Sequence, residues 1–264
     1  MYIVYTMLFK EYKPAAPLRE WVECYWKFIM PARPQAPFEP VKHVFPPEGS
    51  CSLVFIKIPA ISFQAIHFVG PSTRVQQVQV MPESINLGIR LKPGYSGCLH
   101  TARPYILQNS GIPVTDMPAW QSEFLSTLTL DFNSPEILDA LLLQHCLPLV
   151  ARPDERIARA VDAIIQQSGD ITLEQLSRLC FISERQLQRL FTESTGISIK
   201  RFCQIRRLRQ AIINLYVQGR SRADMTAERG FTDTAHFYKS FRNIGAYQLK
   251  QFLEHINLID HQLL

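Results

Sequence analysis

Between Ser183 and Glu193, arginine and glutamine recur on one side of a stretch whose other side is apolar. Leu187, Leu190 and Phe191 stand at the i, i+3, i+4 spacing that gives a helix one inward stripe. Arg185, Gln188 and Arg189 then face outward, with Gln186 at the margin. These side chains share a chemistry. A guanidinium bonds bidentately to the O6 and N7 of guanine, and a carboxamide to the N6 and N7 of adenine. A major groove about 12 Å wide admits one such helix, provided it stands proud of its core. Any single arginine here is more often a solvated charge; the weight lies in the set.

Other chemistries find less support. Gly94-Tyr95-Ser96-Gly97 lacks the Gly-x-Ser-x-Gly spacing of a nucleophile elbow, and no Gly-rich phosphate loop occurs. His43, His67 and His100 stand alone rather than in a ligand cluster. Trp21, Tyr25, Trp26 and Phe28 read as core more readily than as the lining of a pocket. No catalytic residue, metal or cofactor is expected, and no enzyme. The six cysteines form no Cys-x-x-Cys pair, which argues against a disulfide scaffold or structural zinc. A hydrophobic content of 47% excludes disorder, yet no apolar run reaches the roughly 20 residues of a membrane helix. Met1–Phe9 lacks a basic lead and a cleavage site and reads as a strand. The expectation is a soluble cytoplasmic protein with no membrane partner.

The elements that must position the Ser183–Glu193 helix lie in a distinct half of the chain. Residues 152–264 carry 17 Lys and Arg against 12 Asp and Glu, while residues 1–151 carry 11 of each. Of 18 prolines, the last is Pro153. A basic, proline-free segment can be helical throughout, so a boundary is expected near residue 150, dividing the chain into 1–150 and 151–264. The second half also repeats itself. Phe181 and Phe231, Phe191 and Phe241, and Phe202 and Phe252 are each about fifty residues apart. Each copy reads as a short amphipathic helix (Thr172–Leu179, then Ser221–Arg229), a turn, and a capped second helix (Ser183–Glu193, then Asp233–Arg242). Ser183 and Gln186 have capping-box spacing, and Asp233 can cap the second copy. Ser198 to about Val217 reads as one connecting helix of roughly 30 Å. That is close to the roughly 34 Å between successive major grooves on one face of B-DNA. Lys200, Arg201, Arg206, Arg207 and Arg209 on this connector would bring charge to phosphates. In the second copy Thr234, Ala235, Tyr238 and Lys239 face out, a thinner set, and His236 sits beside them.

The first half reads as strands. Ile85, Leu87, Ile89 and Leu91 alternate with Asn86, Gly88, Arg90 and Lys92, a period of two with one wet face. Cys51–Ile58, Ala65–Val69, Val75–Met81 and Val22–Met30 are further β-prone runs, although Leu18–Trp26 would equally suit a helix. A small barrel or sandwich is expected, closed by a helix capped at Ser134. That helix is apolar nearly all round and would pack either between the two domains or against a second subunit.

The stretch Ile171–Phe252 resembles the AraC-type (AraC/XylS-like) transcriptional regulators. The resemblance is carried by Ser183 to Phe191 with Gly196, by Arg206-Arg207-Leu208-Arg209-Gln210-Ala211, and by Gly230 to Phe241. It covers close to a third of the chain. It implies two helix-turn-helix motifs joined by a long helix, in a sequence-specific DNA-binding regulator that is usually an activator. It also implies an amino-terminal domain that senses a ligand or dimerises. Three departures stand out. Gly245-Ala246-Tyr247-Gln248 replaces the usual Gly-x-Thr-Pro step, Thr226 replaces a small alanine, and the first turn has no glycine. The fold class expected is therefore α+β in two domains, a β-rich unit followed by an all-α unit.

Base contacts are expected from Arg185, Gln188 and Arg189, with Gln186 counted among the DNA-binding residues at their margin. A second-groove set comprises Thr234, Tyr238 and Lys239, and Ser183, Arg201 and Thr232 are placed near phosphates. The partners expected are double-stranded DNA, with RNA polymerase, a small-molecule effector and a second copy as candidates. Two alternatives stay open: a non-specific architectural DNA binder, and a barrel enzyme fused to a DNA-binding domain.

Overall fold

The computed structural model describes residues 7–33, 37–96, 104–114, 135–146, 152–216, 244, 249–256 and 258–262. Alternation at two-residue spacing builds the first part into β1 (Met7–Tyr12), β2 (Val22–Ile29), β3 (Val41–Phe45), β4 (Ser52–Ile58), β5 (Phe63–Val69), β6 (Gln76–Val80), β7 (Ile85–Leu91) and β8 (Gly111–Pro113). A last strand, β9 (Ile259–Gln262), completes a seven-stranded sheet in the order β8-β5-β4-β7-β2-β1-β9. β3 and β6 pair separately. The segment that would suit a helix at Leu18–Trp26 is one 3-10 turn at Ala16–Leu18 followed by β2.

β7 departs from the single wet face expected of it. Leu87, Ile89 and Leu91 join Trp21, Tyr25, Leu53 and Phe68 in one core. Gly88 and Arg90 alternate to the other face, and there they are buried as well. The Trp26 ring lies where any Gly88 side chain would sit, and Arg90 is only 1% exposed. That other face is dry because later helices cover it: Arg209 pairs there with Glu11 of β1, and Leu208, Ile212, Phe252 and Ile256 share a second core with Phe28 and Trp26. The first face is covered separately. α1 (Pro135–Leu141), continued by a π-turn at Leu142–Cys146, sends Leu138 and Leu142 into the first core and leaves Ile137 exposed. Ser134, its expected cap, lies outside the described residues.

The basic half is helical as its composition requires. α2 (Glu155–Gln166), α3 (Leu173–Cys180), α4 (Glu184–Thr195) and α5 (Ile199–Tyr216) follow one another. Ile157, Val161 and Ile164 of α2 pack with Leu176, Leu187, Phe191, Ile199 and Phe202 in a core of their own. The second repeat, Ser221–Arg229 and Asp233–Arg242, lies outside the described residues. Beyond it α6 (Leu249–Ile256) buries Phe252 and Ile256 with Phe28 of β2, Met30 just past its end and Val44 of β3. β9 then runs parallel to β1, so the end of the chain is bonded back to its beginning.

Candidate nucleic-acid interface

α3 and α4 are set by local chemistry. Thr172 Oγ1 accepts from the Gln175 N–H at 3.1 Å while Gln175 Oε1 accepts from the Thr172 N–H at 2.8 Å, a complete capping box. At α4 the box expected of Ser183 and Gln186 is half formed: Ser183 Oγ accepts from the Gln186 N–H at 3.3 Å without the reciprocal bond. Between the helices the chain must reverse, and Phe181 adopts the left-handed conformation (φ 56°, ψ 37°) that glycine would supply at less strain. The residue is 84% exposed, with the Arg159 guanidinium 5.9 Å from its ring centroid. Gly196 ends α4 at φ 78°.

The face expected to meet DNA stands clear of the core. Leu187 and Phe191 are buried, whereas Ser183, Arg185, Gln186, Gln188 and Arg189 are exposed. Arg189 pairs with Glu193 one turn on, at 3.1 Å, and its side chain is 61% exposed. Such a pair is worth only a few tenths of a kcal/mol, so it does little to hold the guanidinium in place. Arg201 is half-buried on the first turn of α5: its N–H donates to Ser198 Oγ and its guanidinium to Gln204 Oε1. Thr232, Thr234, His236, Tyr238 and Lys239 lie outside the described residues.

The arginines of α5 overturn part of the sequence expectation. Arg206 pairs with Glu23 of β2, and Arg209 with Glu11 of β1. Arg207 Nε donates to the Gly169 carbonyl at 2.9 Å. These three bind the protein itself and are not laid out for phosphates. Arg90 continues the lattice, pairing with Glu11 at 2.8 Å and with Glu48. Burial alone would raise the Glu23 carboxyl, but Arg206, with Arg90 and Arg209 beyond it, holds it down to about 2. Glu11 is likewise lowered by Arg209 and Arg90 against its burial. Sequence reasoning missed this cluster, because its members lie far apart in the chain.

Beside the lattice is a cavity of about 50 Å³ lined by Phe9, Phe28, His43, Phe45, Arg90 and Ile212, among others. His43 does not stand alone. Its Nδ1 is 2.8 Å from His255 Nε2, which also accepts from the Val44 N–H at 3.1 Å. Burial, then the neighbouring His255 and His261, push His43 down to about 3. Phe28 is the one member of the aromatic group Trp21, Tyr25, Trp26 and Phe28 that also lines this space; Trp21 and Tyr25 are core.

Residues 176–255 match a family model described as a helix-turn-helix domain, and residues 10–113 match one described as a domain of unknown function. An uncharacterized HTH-type transcriptional regulator from Haemophilus influenzae is 29% identical over 144 residues, 48% of this chain and 48% of that protein. One from Staphylococcus aureus is 26% identical over 121 residues, 42% of this chain and 16% of that protein. The matches thus span about half of the first relative's length and a smaller part of the second's. Among solved structures, apo ToxT from Vibrio cholerae strain SCE256 is similar over 88% of this chain and 97% of that one, with a TM-score of 0.48 and 8% identity. The helix-turn-helix match thus runs across the exposed Arg185–Arg189 face on its capped second helix, and over this region the chain is similar to HTH-type transcriptional regulators.

Proposed function

We propose that this protein is a sequence-specific DNA-binding transcription regulator, of the activating kind, in which α4 enters a major groove. One observation carries the reading. α4 buries Leu187 and Phe191 and leaves Arg185, Gln186, Gln188 and Arg189 in solvent, an arrangement that offers guanidinium and carboxamide groups to base edges. Ser183 and Arg201 flank that face and would meet phosphates. Residues from about 151 onward would form the DNA-binding unit, and residues 1–150 a unit that senses or dimerises. The second motif, through Thr232, Thr234, Tyr238 and Lys239, would occupy the next groove and serve mainly to grip backbone. α5, at 18 residues, is about 27 Å long, near the groove spacing such a pair requires. The cavity between the sheet, α5 and α6 touches both parts at once, but at about 50 Å³ it has room for a few waters, so a small effector acting there would have to open it. The reading includes no catalytic role and no cofactor. RNA polymerase and a second copy remain partners to be tested, and the cytoplasm is the compartment it requires.

The test is a binding titration on a cognate and a scrambled duplex. Arg189→Ala should cost about 1–3 kcal/mol on cognate DNA and relax the preference at one base pair. Unchanged discrimination would remove the assignment. An affinity ratio near one for the wild-type chain, at stated salt, would favour the architectural alternative.

A further inference from the structure

Resting on this reading, we propose that Arg206 and Arg209 are positioning residues for DNA recognition, fixing the rotation of α5, and with it the presentation of α4, against the sheet. The two guanidiniums stand three residues apart on one face of α5 and meet different strands: Glu23 on β2 and Glu11 on β1. Two anchors on adjacent strands allow one rotational setting of the helix. The same face of α5 is backed by Phe202 and Ile205, against which the left-handed Gly49 of the β3–β4 loop packs so closely that an added Cβ would lie 2.9 Å from the Phe202 ring. The setting passes to α4 through ring contact, since Phe202 and Phe191 lie 6.0 Å apart. A second grip acts at the C-cap of α4: Gln108 Nε2 donates to the Gly196 carbonyl at 3.0 Å, and a Cβ added at Gly196 would lie within 3 Å of the Pro104–Tyr105 backbone.

The energetics favour orientation over stability as the role of these pairs. Charges this far from water lose much of their attraction to desolvation, and apolar replacements of similar size are often neutral. What an apolar patch lacks is direction. Arg206, Arg209, Arg90, Glu11, Glu23 and Glu48 together specify a register that hydrophobic packing alone would leave free to slip.

The experiment uses the full chain and the duplex recovered by selection from random DNA, with Kd measured on it and on a scrambled duplex across a salt series. R206M/R209M cuts both pairs while leaving Glu11 and Glu48 their partner Arg90. Positioning predicts a cognate-to-scrambled ratio lowered roughly tenfold, within the usual range of intersite coupling, with the salt slope on scrambled DNA unchanged. If the two arginines instead touch phosphates, both affinities fall together and the slope drops by about two charges, which overturns the proposal. An unchanged ratio also overturns it. Should R206M/R209M fail to fold by thermal melting, R206K/R209K decides: charge is kept but the guanidinium fork is lost, so positioning predicts an intermediate ratio and phosphate contact predicts the wild-type one. If the wild-type chain selects no sequence, the underlying reading has failed, whatever these variants do.

Discussion

Arg189 and Glu193 face each other across one turn of α4, so the guanidinium expected to read a base already has a partner in the free protein. Glu193 also places a negative charge on the face proposed to approach phosphates. Glu193→Gln should therefore raise affinity for cognate and scrambled DNA alike, by a few-fold, consistent with an exposed pair worth tenths of a kcal/mol. Gel-shift titrations on both duplexes would show it; a gain confined to cognate DNA would mean that Glu193 itself discriminates. The outward set Arg185, Gln188 and Arg189 was legible in the sequence because helical spacing alone separates it from Leu187 and Phe191. The fate of Arg206 and Arg209 was not. Their partners are 183 and 198 residues away, and a cation on a helix reads the same whether it faces solvent or a buried carboxylate.

At the scale of elements, helix limits followed from local signals. Ser183 caps α4 and Gly196 ends it, within two residues of the expected Ser183–Glu193. The exact pairing of strands did not follow in the same way, since β9 reaches β1 across nearly the whole chain. The wet face expected of β7 failed for a related reason: whether a polar residue such as Arg90 faces water depends on which helix later covers the sheet. Gly196 joins both levels. It is left-handed, and a Cβ there would lie 2.7 Å from the Tyr105 backbone nitrogen. Gly196→Ala should cost at least about 1–2 kcal/mol from the backbone conformation alone, read as a lowered denaturant midpoint. A midpoint equal to the wild type would show that the Pro104–Tyr105 turn does not press on α4.

Across the whole molecule, the helical region and the sheet meet through buried groups that must keep their charge states. His43 is held near 3 in the folded chain, while an unfolded histidine titrates near 6.5. Between those values the unfolded chain takes up a proton that the folded chain refuses. Stability is therefore fully present above about pH 6.5 and declines as the pH falls, by up to about 1.4 kcal/mol per pH unit for one such group. His255 and His261, also lowered by burial, act with the same sign. Glu11 and Glu23 add to the loss only once the pH passes below the ordinary carboxylate range. Denaturant unfolding at pH 7 and pH 5 should show the decline, and His43→Gln should flatten it. An equal slope in the variant would place the proton uptake elsewhere.

The claim beneath all of this is that α4 reads base edges. Selection of bound sequences from a random DNA pool, run in parallel with the wild-type chain and Arg189→Ala, tests it most directly. The account predicts an enriched wild-type motif in two parts about 10 base pairs apart, and loss of preference at one position in the variant. Pools that stay random with the wild-type chain, or motifs that are identical with and without Arg189, would contradict it.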